Sequence, residues 1–345
     1  MTHALALEII EKEMEEPDGF AEVEFDFHGG EPFLEFGLIR EVCESIWARN
    51  WRRPYLFFAT TNGVLVHDEI REWLWRNRAR VWCCLSLDGP RRVHDTNRPD
   101  SFDRIDVDFF RDAWPSQTMK MTVSPATIGS LSDSVIWMHE NQYQFTCNLA
   151  CGIDWSESAR AVLAEQIDLL IDYYSRHRDI QPCNLLASPI ELAPSHRRTS
   201  EIPQWCGIGR SMKAFDTDGR SYPCQSLIPF TDGGSSSPSG IPLDGIDPFS
   251  SMPLDCRDCC VQTFCRTCYA ANFGQRGDPT LRDPMDCYVT RLLAQATATL
   301  TVRYMSDGEM PAFLVQRSNR EKVRLCDGAS KVLADIGRMD IPARQ

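Results

Sequence analysis

The sequence has no apolar run that approaches the ~20 residues a membrane-spanning helix needs, so no membrane partner is expected. Its first residues lack a basic stretch followed by an apolar one, so nothing marks the chain for secretion. Positive charge is also short: 36 Lys and Arg stand against 49 Asp and Glu, a net charge of −13. A nucleic-acid binder shows the opposite balance, and none is expected as a partner. Apolar residues are not lacking. At 43% of 345 residues they suffice for one large domain with a smaller one beside it. The residue in excess is cysteine, with fifteen, an odd number in a chain without a secretion signal. That combination places the protein in a reducing, cytoplasmic compartment, where thiols serve as ligands, catalysts or core fillers and not as staples.

The first half alternates strand and helix patterns. Thr2 to Glu16 reads as an amphipathic helix. Val23 to Phe27 alternates apolar and acidic residues as a strand does, and runs into His28-Gly29-Gly30-Glu31-Pro32. Phe33 to Trp47 is helical by period. Tyr55 to Thr60 is a strand ending in Thr61-Asn62-Gly63, and His67 to Arg76 is helical. Val81 to Leu87 is a strand ending in Asp88-Gly89-Pro90. Further strands at Met119 to Val123 and Gln144 to Leu149 alternate with helices up to Tyr174. Such alternation argues for a parallel sheet covered by helices, closed or partly closed as a barrel, with its chemistry in the loops after the strands. Each of those loops also has a plain turn reading, with Pro32 as the first residue of a helix. Their common placement on one side of the sheet is what favours a ligand site.

After about residue 180 the pattern changes. Gly233 to Gly240 reads as a flexible loop, and eight of the fifteen cysteines lie between Cys206 and Cys287. Cys206 and Cys224 bracket a turn at Asp216-Thr-Asp218-Gly219. Cys256/Cys259 and Cys265/Cys268 are two Cys-x2-Cys units, followed by Cys287; Cys260 reads as a spare. Zinc ribbons separate their paired cysteines by roughly 15–20 residues, far more than the gap here, although a compact zinc site stays open. All-cysteine ligation with this many thiols suits two iron–sulfur clusters better. Cys43, Cys83, Cys84 and Cys326 read as core fillers, as do Cys147 and Cys151 on a strand. The tail reads as a helix at Leu292 to Leu300, then a short hairpin and a terminal helix.

The pieces together resemble a known family. His28-Gly-Gly-Glu-Pro32 after a strand resembles the methionine-binding motif of radical S-adenosylmethionine enzymes. Ser86-Leu-Asp-Gly-Pro90 with His94-Asp-Thr-Asn97-Arg98-Pro99 is similar to the corresponding stretch of the anaerobic sulfatase maturases and related peptide maturases. Cys206 through Cys287 resembles their SPASM domain. The wording around Asn62, Trp114-Pro115, Lys120-Met-Thr122 and Asn148 to Trp155 resembles radical maturases of ribosomally made peptides. The resemblance implies an α/β fold: a partial (β/α)6 barrel over 1–180, a SPASM domain over 200–292 and a helical tail over 293–345. It implies that Gly29, Gly30 and Glu31, followed by Pro32, receive the amino group of S-adenosylmethionine. Asn62, Ser86 and Arg98 then line its ribose and carboxylate, with Asp88 in the same stretch counted among the cofactor-binding residues. Cys256, Cys259, Cys265 and Cys287 are implied to hold an outer auxiliary 4Fe–4S cluster, and Cys206, Cys224 and Cys268 an inner one. A fourth inner ligand is not evident beyond the distant Cys183, so an open iron site is expected otherwise. The implied partner is a ribosomal precursor peptide, from which a 5′-deoxyadenosyl radical takes a hydrogen atom.

Two departures qualify the resemblance. The family's Cys-x3-Cys-x2-Cys loop should precede the first helix, and no cysteine trio in this sequence has that spacing. The expectation is a barrel without its first strand, and a truncated start in preference to a degenerate enzyme. Sulfatase maturases also place an Asp base after the cysteine matching Cys224, where this chain has Gln225, an amide that takes no proton. That points away from formylglycine formation and towards another peptide modification. The rivals are a non-catalytic iron–sulfur protein that binds a peptide or a partner, and a zinc-stabilised scaffold.

Overall fold

A computed structural model describes residues 1–16, 20–191, 206–209, 211–228, 256, 259–265, 267–306 and 310–337. The expected loop at Gly233 to Gly240 lies outside the described residues. The chain divides into two compact units, one of residues 1–122, 140–146 and 206–246, the other of 123–139, 147–205 and 247–345.

In the first unit the expected alternation is present. The elements are α1 (His3–Glu15), β1 (Val23–Phe27), α2 (Phe36–Trp47), β2 (Tyr55–Thr61), α3 (Asp68–Asn77), β3 (Val81–Leu85), α4 (Arg91–Asn97) and α5 (Val107–Ala113). The Thr2 hydroxyl caps α1 by accepting from Leu5 N. Ala6, Ile10 and Met14 form its buried stripe, four residues apart as the helical period requires. Strands β1, β2 and β3 pair in parallel in that order, with Phe25 opposite Phe57 and Phe57 opposite Val81. One face of this sheet is packed by aromatic rings. Phe57 is fully buried and touches Phe25, Phe27, Trp47 and Tyr55, and Trp47 stacks on Trp73 at 5.6 Å. The other face carries Asp26, Phe58 and Thr60, the side chains that period-2 alternation sends the opposite way.

Strands β4 (Met119–Val123) and β5 (Phe145–Leu149) pair with each other. A single parallel bridge between Ser86 and Lys120 joins β3's end to β4, and Lys120 Nζ donates to Thr60 Oγ1 at 2.8 Å. Strands β1 to β5 thus form a three-stranded and a two-stranded sheet linked by one bridge; of the closed or partly closed barrel that the sequence led us to expect, closure is not seen among the described residues. Beyond Leu85, where β3 ends, Ser86 N still donates to Thr61 O and Leu87 N to Lys120 O. A hairpin of β6 (Ala214–Phe215) and β7 (Ser221–Tyr222) follows Cys206, with Gly219 at φ +83° in its turn. Asp216 accepts from Asp218 N, Arg220 N and the Tyr222 hydroxyl, an Asx turn that fixes the hairpin.

The second unit is helical: α6 (Leu131–Glu140), α7 (Glu157–Arg176), α8 (Asn184–Glu191), α9 (Tyr269–Arg276), α10 (Pro284–Ser306), α11 (Ala312–Val315) and α12 (Asn319–Gly337). Helix α10 packs on α7, α8 and α12. Its Ala294, Ala296, Ala298, Thr297 and Thr301 are buried, small side chains that admit neighbours closely on several sides. The tail hairpin expected from sequence is absent among the described residues. Leu325, Ala329, Val332 and Ile336 repeat at helical spacing and bury one face of α12 instead. Cys326 is half-buried on that helix, a poorer core filler than expected.

His139 near the end of α6 packs against Tyr173 and places Nε2 2.8 Å from the Tyr174 hydroxyl. Burial holds its imidazole down to about 4, from an ordinary value of 6.5. The unfolded chain therefore takes up a proton that the folded chain refuses. The stability that a neutral His139 confers is full above pH 6.5 and is lost as the pH falls towards 4. His139→Gln should flatten the fall in urea midpoint across that window; a slope parallel to the wild type would contradict the assignment.

Candidate functional site

The loops at the carboxyl ends of β1, β2 and β3 meet through Glu31. Its Oε1 accepts from Phe33 N at 3.1 Å and from the Thr61 hydroxyl at 2.8 Å, and its Oε2 accepts from Asn62 N at 2.8 Å. A carboxylate offers about four acceptor positions, so three bonds leave room for one more donor. Gly29 and Gly30 are exposed, and a Cβ on either would meet nothing within 4 Å. The chain's own packing thus does not require glycine there, and the backbone lies open to a ligand. Pro32 is buried as the first residue of a short 3-10 turn.

Asn62 directs Oδ1 to Val64 N at 2.9 Å, which closes the turn after β2. Gly63 in that turn is obligatory. Its φ is +79°, and a Cβ would approach Leu85 to 2.7 Å. Ser86 is buried and donates its backbone N to Thr61 O at 2.9 Å. Glu31, Asn62 and Ser86 are therefore brought together around Thr61, a residue the sequence reading did not single out.

Asp88 is placed differently from the others. Its side chain is 0% exposed and spent on the protein itself. Oδ1 accepts from Thr122 N at 2.8 Å, and Oδ2 accepts from Asn97 Nδ2 at 3.1 Å and Arg98 Nε at 3.0 Å. His94 Nδ1 accepts from Asp88 N, and its Nε2 lies 2.9 Å from Ser101 Oγ. Burial pushes the His94 imidazole down, which keeps it neutral in that role. The network fastens α4 to β4 and holds Arg98 by one nitrogen, leaving its side chain 30% exposed.

None of the fifteen cysteines is disulfide-bonded. In the second unit Cys256, Cys259, Cys265 and Cys287 line one small cavity together with Arg282 and Arg291. Among the described residues no three Cys, His, Asp or Glu side chains converge as a single ion would require. The loop carrying the first three thiols is pinned by Val261 and Phe264, which are buried against Ala294 and Ala298 of α10 and Ala329 and Val332 of α12. Cys260 packs on that same core. Cys287 stands one residue turn inside α10, where burial foremost, then the neighbouring thiols, push it up to about 11. Burial likewise raises Cys265, against the pull of Arg282, whose Nη1 donates to Cys265 Sγ at 3.1 Å.

Cys268 caps α9, its Sγ accepting from Ala271 N at 3.4 Å. Cys224, in the first unit, caps a short turn in the same way by accepting from Ser226 N at 3.4 Å, and its thiol also reaches Gln225 Oε1 at 3.6 Å. Cys206 lies before a turn in which Ser211 N and Met212 N both donate to Gly207 O. Two readings of lone cysteines need correction or refinement. Cys151 is exposed, beyond the end of β5 at Leu149. Cys183 is buried beside Tyr174, as are Cys43, Cys83, Cys84 and Cys147 in their own surroundings. Arg282 and Arg291 were missed. The legible signal was a basic residue four positions after Cys287, on the same helical face.

With this geometry in view, the solved structures supply a comparison. The fold is similar to that of anSMEcpe. Native anSMEcpe with bound AdoMet and Cp18Cys peptide gives a TM-score of 0.65 at 15% identity, over 88% of this chain and 91% of that one. Native anSMEcpe with bound AdoMet gives 0.66 at 15% identity, over 88% and 89%. Native anSMEcpe with bound AdoMet and Kp18Cys peptide gives 0.62 at 15% identity, over 88% and 91%. At such identity the likeness is one of fold alone, an α/β architecture shared with anSMEcpe. No family model and no curated protein matches the sequence. No described helix is long and apolar enough to cross a membrane.

The Asp88 network makes a quantitative claim. Asp88→Asn leaves a buried N–H facing donors, and should cost about 1–3 kcal/mol of stability in urea denaturation. The loss should be strongly non-additive with Arg98→Ala, because the two share one bond. Additive losses would contradict the network.

Proposed function

We propose that this protein belongs to the chemistry of radical S-adenosylmethionine peptide maturases, and that its two thiol sets hold auxiliary iron–sulfur clusters. The observation that carries the reading is the cavity lined by Cys256, Cys259, Cys265 and Cys287 in a chain whose fold is similar to anSMEcpe. Among the described residues the donor set is all sulfur, with two arginines and no carboxylate on the cavity wall. Zinc, at ~2.3 Å from each thiolate, draws four sulfurs onto one point, whereas a cluster spreads them around a cavity. Cys206, Cys224 and Cys268 are the proposed ligands of the second cluster. Clusters of this kind supply one-electron transfer when bound.

On the strand-end side, the open backbone of Gly29 and Gly30 and the remaining acceptor position of Glu31 suit the amino group of AdoMet. Asn62, Ser86 and Arg98 stand on the neighbouring loops to receive its ribose and carboxylate. Asp88 acts through Arg98, whose guanidinium it orients. The five strands correspond in this reading to part of a (β/α)6 barrel, in a protein of the reducing cytoplasm. The substrate is a ribosomally made peptide, by the same fold likeness to a protein solved with peptides. Gln225 beside Cys224 offers no proton acceptor, which favours a modification other than formylglycine formation. This sequence holds no Cys-x3-Cys-x2-Cys, so the parts of the chemistry proposed for it are cofactor recognition, peptide binding and the auxiliary clusters.

Titration calorimetry with AdoMet tests the strand-end site. The anaerobically prepared chain should bind, and Glu31→Gln should weaken binding at least about tenfold, since an amide both loses a charge-assisted bond and presents N–H to Asn62 N. Equal affinity of the two proteins would remove Glu31 from the site, and no binding by the wild type would contradict the cofactor assignment.

A further inference from the structure

Two arginines stand among the thiols of the cavity. Arg282 precedes α10 and donates Nη1 to Cys265 Sγ at 3.1 Å. Arg291 follows Cys287 by four residues on α10, one helical turn, and lines the same cavity. Its Nε is buried and has no hydrogen-bond partner. Buried guanidinium N–H groups left in that condition are rare and costly, so the position calls for an acceptor. Among the described residues neither arginine forms an ion pair. Asp286, within electrostatic reach of Arg282, accepts instead from the Thr267 hydroxyl at 2.9 Å. Among the described residues the cavity therefore presents two cationic forks to four sulfurs, with no carboxylate lining it.

We infer that Arg282 and Arg291 are positioning residues for an anionic, thiolate-bound centre in this cavity, donating N–H···S hydrogen bonds that raise its reduction potential. The inference rests on the reading that the four thiols hold an iron–sulfur cluster. Each one-electron reduction adds a negative charge to a centre already negative. Two guanidinium charges and their N–H groups stabilise the reduced form more than the oxidised one. The bond from Arg282 is already formed to Cys265, and the unpartnered Nε of Arg291 is the donor that the bound centre completes. Arginine suits this task because its charge is permanent and its donors are fixed in a plane.

The test uses the full chain reconstituted anaerobically with iron and sulfide, and titrated with dithionite while reduced clusters are followed by electron paramagnetic resonance. The signal lost in Cys265→Ser marks the outer centre. In Arg291→Gln and Arg282→Gln the reduction equilibrium of that centre should shift at least tenfold towards the oxidised form, about 59 mV more negative for one electron. Arg291→Lys, which keeps the charge and loses the Nε donor, should shift it less and retain the iron. Should a Gln variant shed its iron, retention by Arg291→Lys still supports the inference, and loss from it as well overturns it. Full iron with unshifted midpoints defeats the role of the arginines alone. A wild-type protein that takes up no iron defeats the reading of the cavity together with this inference.

Discussion

Burial of Val261 and Phe264 against α10 and α12 fixes where the cysteines of the second unit can stand. A loop with three thiols has little apolar surface of its own, and ordering it costs conformational entropy that sulfur alone does not offset. Two apolar anchors in a helical core supply the difference, and the small side chains of Ala294 and Ala298 let the loop approach α10 closely. Cys287 on that helix then completes the ring of thiols, and Arg291 comes with it one turn later. The cavity and its charges follow from one helix and one pinned loop.

The first unit depends on a comparable economy. Glu31 alone ties the loops after β1 and β2, and the Ser86 to Thr61 bond adds the loop after β3. Ligands bind parallel α/β sheets at these strand ends, where loops from several strands converge. A carboxylate that orders its own neighbours and keeps one acceptor position is pre-organised for a cationic group, so little ordering is left to be done on binding.

Much of this was legible in the sequence, for physical reasons that differ by element. Strand β1 announces itself by period-2 alternation, β2 and β3 as short apolar runs, and each is followed by a loop that contains glycine. In the tail the expected terminal helix is α12, with its buried stripe from Leu325 to Ile336, whereas the expected hairpin is not found among the described residues. Cys151 was read as core by its closeness to β5, although it stands two residues beyond the strand's end at Leu149. Asp88 shows a different limit. A residue in a loop motif looks the same in sequence whether it faces a ligand or, as here, is buried under Thr122, Asn97 and Arg98. Arg282 and Arg291 were passed over because basic residues are usually solvated, although the four-residue spacing from Cys287 to Arg291 was there to read.

The central claim is that the thiols hold iron–sulfur clusters, in a fold similar to anSMEcpe. Mössbauer spectroscopy with metal analysis on the anaerobically purified chain tests it most directly. The account predicts a brown protein with about eight irons per chain, matched by sulfide, in two 4Fe–4S clusters. A colourless protein with stoichiometric zinc and no labile sulfide would contradict it.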